Sequence, residues 1–268
     1  MNHVHTHTPH HGASHGHHHE HAMDGQAEIL DLDAEVLAEY TASITAWLPL
    51  QTAPHHIVDL GCGTGAGTFA LLDRFPDAHV TAVDASAEHL QRLRTKACTR
   101  SVEERVRTVQ TDLDDEAWPD LGSPDLVWAS ASMHHMAHPD RALRNVHDAL
   151  APGGLFAVVE LAGHPRFLPE NAPEDRPGLE ERVHAAAGFT VEGERTIAVD
   201  FEGSRSEAIG RYATGVLQRI RSVIAGRLSP EDLTALDQLL DTSSPHSILR
   251  RDDLTVRTER TVWAARRT

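Results

Sequence analysis

The alternation of short apolar runs with stretches of helical periodicity, from His56 to Leu161, constrains the fold more than any other feature of the sequence. Short apolar runs bounded by turn residues are typical of buried strands, whereas apolar residues every three or four positions indicate helices. Strand–helix alternation predicts a parallel sheet with helices on both faces. The predicted strands are His56–Asp59, Val80–Asp84, Val106–Gln110, Leu126–Ala129 and Leu155–Leu161, and the predicted helices end near Arg74, span Ala87 to about Arg100 and lie near Arg141–Leu150.

Helical patterns flank this predicted sheet on both sides in the chain. Apolar residues at helical spacing between Ala27 and Leu50 predict one or two amphipathic helices before it. After the sheet, the patterns predict helices near Leu179–Ala187, Ser206–Arg227 and Pro230–Leu240, a strand within 189–201 and a last strand within 254–267.

Composition excludes several classes of protein. The 268 residues contain 24 Lys and Arg against 40 Asp and Glu, a formal net charge of −16, which disfavours nonspecific attraction to nucleic-acid phosphates. No apolar run approaches the ~20 residues that cross a bilayer. Two cysteines, Cys62 and Cys98, do not make a framework of several disulfides. We therefore expect a cytoplasmic protein without nucleic-acid or membrane partners, and a homodimer remains open.

The first residues form a histidine-rich segment. Ten of the 21 histidines lie within residues 1–21, among Gly, Ser, Thr and Pro. Because few apolar side chains are present there for packing, residues 1–24 are predicted to be a disordered and dispensable tail. Imidazoles at this density bind Zn, Ni or Cu ions from solution, but their irregular spacing matches no structural zinc site. We predict no defined metal site and keep metal handling by this tail as an alternative.

A glycine-rich loop follows the first predicted strand. The stretch VDLGCGTGAG places glycine at 61, 63, 65 and 67 before helical spacing resumes. Glycines allow a tight turn and the close approach of a ligand, and the helix that follows offers free N–H groups. Gly61-x-Gly63-x-x-Ala66 also satisfies the dinucleotide fingerprint, so the loop alone leaves the kind of nucleotide open.

Two acidic positions extend this site along the sheet. Asp84 ends the second predicted strand, 19 residues after Gly65, where a carboxylate can accept hydrogen bonds from both ribose hydroxyls. Asp112 and Leu113 follow the third predicted strand and can border an adenine ring. The three strand ends together predict a groove for a cofactor that contains adenosine.

Five motifs in this order resemble those of the class I S-adenosylmethionine-dependent methyltransferases. VDLGCGTG is similar to the family's glycine motif, VTAVDAS to its ribose motif and VQTDLDD to its adenine-side motif. PDLVWASASMHHM is similar to the strand and loop at the active site, and LRNVHDALAPGGLFAVVE to the helix, turn and strand that follow. The similarity spans about residues 57–160, and TVWAARR resembles the antiparallel last strand. It implies a Rossmann-like, doubly wound α/β sheet of seven strands in the order 3-2-1-4-5-7-6.

The resemblance also implies a domain organisation and residue roles. One methyltransferase domain would cover residues 25–268, with an amino-terminal helical lid (25–52), a cofactor-binding core (53–162) and a substrate-side and carboxyl-terminal part (163–268) that carries a helical insertion before the last strand. S-adenosylmethionine would be bound as follows: Gly61, Cys62, Gly63 and Gly65 at its methionine portion, Asp59 fixing that loop, Asp84 at the ribose, Asp112 and Leu113 at the adenine, and Ser130 beneath the cofactor, with Ala85 as a further cofactor-binding residue. Tyr40 either closes over the site or packs in the core.

The chemistry predicted from this resemblance is direct methyl transfer. A sulfonium already activates its methyl group, so the protein must chiefly align the acceptor, and a base matters only for an acceptor that arrives protonated. His134 and His135 are the titratable residues of Ala129–Met136 and are predicted as the catalytic base candidates; packing or substrate positioning by this pair is the alternative. We expect a metal-free enzyme that acts on a small metabolite or natural-product intermediate at carbon, nitrogen or oxygen.

Two further points stay open at this level. The substrate cover is expected from Tyr40, Ile44, Trp47, His164, Arg166, Phe167, Tyr212 and Arg219. A nucleotide-dependent oxidoreductase would also account for Gly61–Gly65 and Asp84, though not for the later motifs. A noncatalytic cofactor-binding or metal-binding protein is the alternative outside enzymes.

Overall fold

The structure, a computed structural model, describes residues 17–161, 163–186, 204–258 and 260–267. Its helices are α1 (His17–Val36), α2 (Ala38–Trp47), α3 (Ala66–Arg74), α4 (Ala87–Thr99), α5 (Pro139–Ala149), α6 (Leu179–Ala186), α7 (Ser204–Ile224) and α8 (Pro230–Leu240). Its strands are β1 (His56–Leu60), β2 (His79–Asp84), β3 (Val106–Gln110), β4 (Leu126–Ser130), β5 (Leu155–Leu161) and β6 (Arg260–Arg266).

The strands form one sheet in the order β3-β2-β1-β4-β5-β6. β1 to β5 pair in parallel, and β6 pairs antiparallel with β5, so that Arg260 lies opposite Leu161. The predicted Rossmann-like α/β fold is therefore confirmed, with the order of the first five strands and the antiparallel last strand. The seventh strand is predicted within 189–201, which lies outside the described residues.

Apolar side chains on successive residues of the central strands bury both faces of the sheet, as a parallel sheet requires. Ile57 and Trp128 pack in the layer that carries α2, α3 and α4, whereas Val58 and Val127 pack in the opposite layer with α5. This arrangement leaves the carboxyl ends of β1 to β5, and the first residue of the antiparallel β6, together at one edge of the sheet.

A third apolar cluster joins the two ends of the chain. It combines Leu32 of α1 with Tyr212 of α7, Leu236 of α8 and the buried Phe167 after β5. The predicted helical insertion thus packs on α1. Because α1 also lies beside the glycine loop, this cluster connects the carboxyl-terminal helices to the edge where the site is expected.

The amino-terminal helices cover the predicted lid of residues 25–52. α1 begins at His17, so residues 17–24 of the predicted tail are helical, while residues 1–16 lie outside the described residues. A tail boundary at residue 24 therefore falls inside a helix. In the described ranges, no helix combines the length and apolarity that a bilayer crossing demands.

Candidate active site

The glycine loop turns sharply between β1 and α3. Gly61, Gly63 and Gly65 adopt φ values of 66°, 52° and 100°, in the left-handed region that side chains disfavour. A Cβ on Gly61 would lie 2.4 Å from the Cβ of Ser132, and one on Gly65 would lie 2.7 Å from the Phe69 ring. Gly61 therefore lets the loop pass close to the end of β4, and Gly65 lets the chain enter α3.

Asp84 connects this loop to the end of β2. Its Oδ2 accepts the N–H of Gly63 at 2.8 Å, and its Oδ1 accepts the N–H of Ser86 at 2.8 Å and lies 3.3 Å from Nδ1 of His89. Burial alone would raise the pKa of this carboxyl, but the hydrogen bonds from His89, Ser86 and Gly63 together lower it. Asp84 therefore stays ionised at neutral pH and keeps lone pairs for a ligand.

Asp59, the penultimate residue of β1, has a different environment from Asp84. It is buried, and its Oδ2 accepts the hydroxyl of Thr68 on α3 at 2.7 Å. Burial raises its pKa to about 7, with a further contribution from Asp84. Burial likewise raises the pKa of the neighbouring Cys62 thiol well above its ordinary value, so Cys62 stays protonated. The bond from Asp59 to Thr68 ties β1 to the first turn of α3, which agrees with the loop-fixing role predicted for it.

The strand ends enclose a cavity of about 330 Å³. Its lining includes ten predicted site residues: Asp59, Gly61, Cys62, Gly63, Asp84, Ala85, Asp112, Leu113, Ser130 and His135. Three predicted residues lie outside this lining. Tyr40 packs between two apolar clusters, Gly65 ends the loop and faces Phe69 and Leu93 of the helices, and His134 faces Glu160. A larger groove of about 560 Å³ lies among α2, α3 and α4, but the strand-end cavity brings the predicted residues together.

The loop after β4 is held by two carboxylates from other parts of the chain. At its start, Glu160 accepts the N–H of Met133 at 2.9 Å and lies 2.6 Å from Nδ1 of His134. Towards its end, Asp114 accepts the N–H groups of Ala137 and His138 at 2.9 and 3.0 Å. The loop is thereby fixed on both sides of His135.

The two adjacent histidines consequently differ. His134 is committed to Glu160, whereas His135 lines the cavity, and their rings lie 3.9 Å apart between centroids. Burial lowers the pKa of His135, and the charges of His134 and Arg219 lower it further against the opposing effect of Glu160. His135 is therefore neutral at neutral pH and can accept a proton or a hydrogen bond.

Several lining residues were not predicted from the sequence. Asp33 of α1 and Arg260 of β6 form an ion pair in the wall, and Asp33 also accepts the hydroxyl of Tyr212 at 2.6 Å. The signal for Arg260 was its place at the start of an antiparallel strand, which lies at the same edge as the ends of the parallel strands. Further lining residues are Gln26, Leu30, Thr41, Thr64, Ala66, Gly67, His89, Thr111, Asp114, Ala131, Ser132 and Met136.

The residues predicted to cover the substrate do not line this cavity. None of these eight residues appears in the cavity lining within the described part of the chain. Ile44, Phe167 and Tyr212 are buried in the apolar clusters, because they occupy the inward face of their segments. Arg166 is also buried and pairs with Glu181. Across the described ranges, no group of three or more His, Cys, Asp or Glu has an arrangement that would hold a metal ion.

Comparison with known proteins identifies the same segment. Residues 58–156 match the model of a family described as a methyltransferase domain. A trans-aconitate 2-methyltransferase of Paracidovorax citrulli is 39% identical over 146 residues, 54% of this chain and 50% of that protein. A second, from Azoarcus sp., is 32% identical over 155 residues, 58% of this chain and 54% of that protein.

A malonyl-[acyl-carrier protein] O-methyltransferase of Dechloromonas aromatica is 39% identical over 109 residues, 41% of this chain and 37% of that protein. The chain therefore spans about half the length, or less, of these curated relatives. The aligned part is between 41% and 58% of the present chain.

Proposed function

We propose that residues 58–156, which match a methyltransferase-domain model, form a class I S-adenosylmethionine-dependent methyltransferase domain, and that the chain transfers a methyl group from S-adenosylmethionine to a small-molecule acceptor by direct in-line displacement. The observation that carries the proposal is one cavity in which the glycine loop, the ionised Asp84 and the Asp112–Leu113 pair meet. These are the places where a cofactor with methionine, ribose and adenine portions needs contacts.

The residues present fit this cofactor. Gly61 and Gly63 line the cavity without a side chain, which leaves their backbone open to a close ligand, and a Cβ on Gly61 would collide with Ser132. We assign the methionine portion to the loop Gly61–Gly63, the ribose hydroxyls to Asp84, and the adenine to Ala85, Asp112 and Leu113. We assign Asp59 an indirect role, because its hydrogen bond from Thr68 fixes the loop and α3.

The bound cofactor supplies a methyl group that its sulfonium already activates. The protein then has to align the acceptor with that group and exclude water, and alignment of two reactants can be worth on the order of 7–11 kcal/mol. Three residues line the cavity at the end of β4: Ser130, Ala131 and His135. We assign the alignment of the acceptor to them.

We assign the acceptor-facing role of the histidine pair to His135. His134 is held by Glu160 at 2.6 Å, so its ring orients the loop. His135 lies in the cavity wall with a lowered pKa. It can take the proton of a hydroxyl or an ammonium, and it can hold an acceptor that arrives already ionised.

The names of the relatives indicate which acceptors should be tested first. Their names specify trans-aconitate and a malonyl group on a carrier protein, and both acceptors carry carboxylates. We propose a small carboxylic acid, free or as a thioester, as the acceptor of this chain, methylated at oxygen. The absence of a nucleic-acid partner also stays a proposal, supported by the net charge of −16. A cytoplasmic setting stays a proposal as well.

A methyl-transfer assay tests the proposal. The full chain is incubated with S-adenosylmethionine and a panel that contains trans-aconitate, malonyl thioesters and aromatic acids. We expect one acceptor to gain a single methyl group by mass spectrometry, with stoichiometric S-adenosylhomocysteine. Tight NAD binding without binding of S-adenosylmethionine would instead point to an oxidoreductase and would contradict the assignment.

A further inference from the structure

Arg260 is a buried cation in a cavity wall that otherwise carries carboxylates. Its side chain is 7% exposed and lines the same cavity as the glycine loop. Five carboxylates share this lining: Asp33, Asp59, Asp84, Asp112 and Asp114. A guanidinium in such a wall gives the cavity one position suited to an anion.

The topology places Arg260 in the acceptor half of the cavity. It begins β6 opposite Leu161 of β5, and β5 lies beside β4 on the side away from β1. The residues assigned to the cofactor follow β1, β2 and β3. Arg260 therefore lies beyond Ser130 of β4, on the side of the sheet that the cofactor residues leave to the acceptor.

Asp33 uses only part of the hydrogen-bonding capacity of Arg260. Both hydrogen bonds between the two residues are donated by Nη2 of Arg260, to Oδ1 of Asp33 at 2.8 Å and to Oδ2 at 2.9 Å. Among the described residues, the buried Nε of Arg260 has no hydrogen-bond partner. Native proteins rarely leave a buried donor unpaired, so the bonds to Asp33 leave this guanidinium incompletely paired in the cavity wall. A guanidinium has five N–H donors, so it can serve Asp33 and a second anion.

The surroundings hold the guanidinium in one orientation. Tyr212 of α7 donates its hydroxyl to Oδ1 of Asp33 at 2.6 Å, so three elements meet at Asp33. Burial, together with the charge of Asp33, raises the pKa of Tyr212, which therefore remains a donor. A preoriented guanidinium loses little conformational freedom when a ligand binds.

We propose that Arg260 binds a carboxylate of the acceptor and thereby selects carboxylic acids as substrates. This inference rests on the proposed methyltransferase function and names the substrate class of the same site. Tyr212 and Asp33 act as positioning residues for Arg260. The Asp33–Arg260 pair also links α1 to β6, so a test must separate acceptor binding from stability and from cofactor binding.

Calorimetry on the full chain saturated with S-adenosylhomocysteine makes this separation. The probes are trans-aconitate, malonate and the trimethyl ester of trans-aconitate. We expect an acid to bind and the ester not to bind. Arg260→Met should weaken acid binding about 10- to 100-fold, the value of a charged hydrogen-bonded contact, and should leave S-adenosylhomocysteine affinity within about threefold. Arg266→Met is the matched control, because Arg266 lies at the other end of β6 and bonds to Gly153 and Pro49.

Asp33→Asn keeps the test decisive if Arg260→Met does not fold. It keeps a side-chain oxygen that can position the guanidinium and removes only the competing negative charge, so acid affinity should rise. A purely structural pair would give a lower melting temperature with unchanged acid affinity. Equal binding of acid and ester, or of acid to Arg260→Met and the unaltered chain, would overturn the inference. So would a parallel loss of S-adenosylhomocysteine affinity, which would assign Arg260 to the cofactor. No S-adenosylhomocysteine binding by the unaltered chain would instead contradict the proposed function.

Discussion

At the scale of single residues, Asp84 combines two functions that an alanine would remove together. It accepts the N–H of Gly63, which shapes the loop, and it is the carboxylate assigned to the ribose. We expect Asp84→Ala to weaken S-adenosylhomocysteine binding from about 10-fold to over 100-fold, because charged hydrogen bonds contribute roughly 1.5–3 kcal/mol each. Calorimetry measures this change. Asp73→Ala, at an exposed carboxylate that pairs with Arg100, is the control, and an equal loss there would contradict the assignment.

His135 differs from Asp84 because its role depends on the acceptor. A carboxylate arrives without a proton to remove, so we expect His135→Ala to raise KM for the acceptor and to change kcat by less than about 10-fold. A kcat loss of about 10²–10⁴-fold would show instead that His135 is a general base for a protonated acceptor. His134→Ala is the neighbouring control and should disturb the loop through Glu160 without the same effect on KM.

The pH dependence of turnover distinguishes the same two roles. Burial and the charge of His134 lower the pKa of His135, so its neutral form persists below the ordinary histidine range of about 6.5. If His135 were a base, kcat would rise with pH through a pKa below about 6.5 and would be flat above it. For a carboxylate acceptor, which stays ionised down to about pH 5, we expect no such limb in kcat from about pH 5 to 8. Stopped-time assays across this range with the identified acceptor decide the matter.

At the scale of elements, the sequence identified those parts of the site that local motifs encode. Gly61, Asp84 and Asp112 each lie at the end of a strand or within two residues of it, and parallel strands end at one edge, so their meeting was predictable. The choice between His134 and His135 was not, because it depends on Glu160, which lies 26 residues from His134. Arg260 and Asp33 were missed for the same reason: 227 residues separate them, and only the antiparallel pairing of β6 brings them together.

Helix α1 is connected to the glycine loop by the single lysine of the sequence. Lys96 of α4 donates to Asp31 of α1 and, at 3.1 Å, to the carbonyl of Thr64. We expect Lys96→Met to weaken S-adenosylhomocysteine binding about threefold to tenfold, because α1 is then less firmly held over the loop. The melting temperature should change little, since a partly exposed ion pair contributes about 0–1 kcal/mol. Arg94→Met on the same helix contacts Thr108 and Gln91 and serves as the control; equal effects of the two variants would argue against a specific link.

At the scale of the whole molecule, the chain adds its carboxyl-terminal helices to the sheet through α1. The sequence did not predict which segments would pack together in the cluster that contains Leu32, Phe167 and Tyr212. Helical periodicity shows that a helix has an apolar face but not what that face packs against. The sheet was predictable, since strand–helix alternation permits few arrangements. The fold therefore followed from local patterns, whereas the acceptor half of the cavity depends on packing between distant segments.

The positions of the cavity and of the core also indicate how much of the amino terminus the proposed enzyme needs. Among the side chains whose burial the structure describes, which start at residue 25, the first to line the cavity is Gln26 and the first in the buried core is Ala27. We expect a chain that starts at Gly25 to keep its S-adenosylhomocysteine affinity and turnover within about threefold in metal-free buffer. Its melting temperature should fall by only a few degrees, because the removed turns of α1 precede that core and helix ends fray at little cost. Thermal melting and calorimetry on both chains measure this. Loss of the cooperative transition, or of most activity, would show that the histidine-rich segment belongs to the working protein.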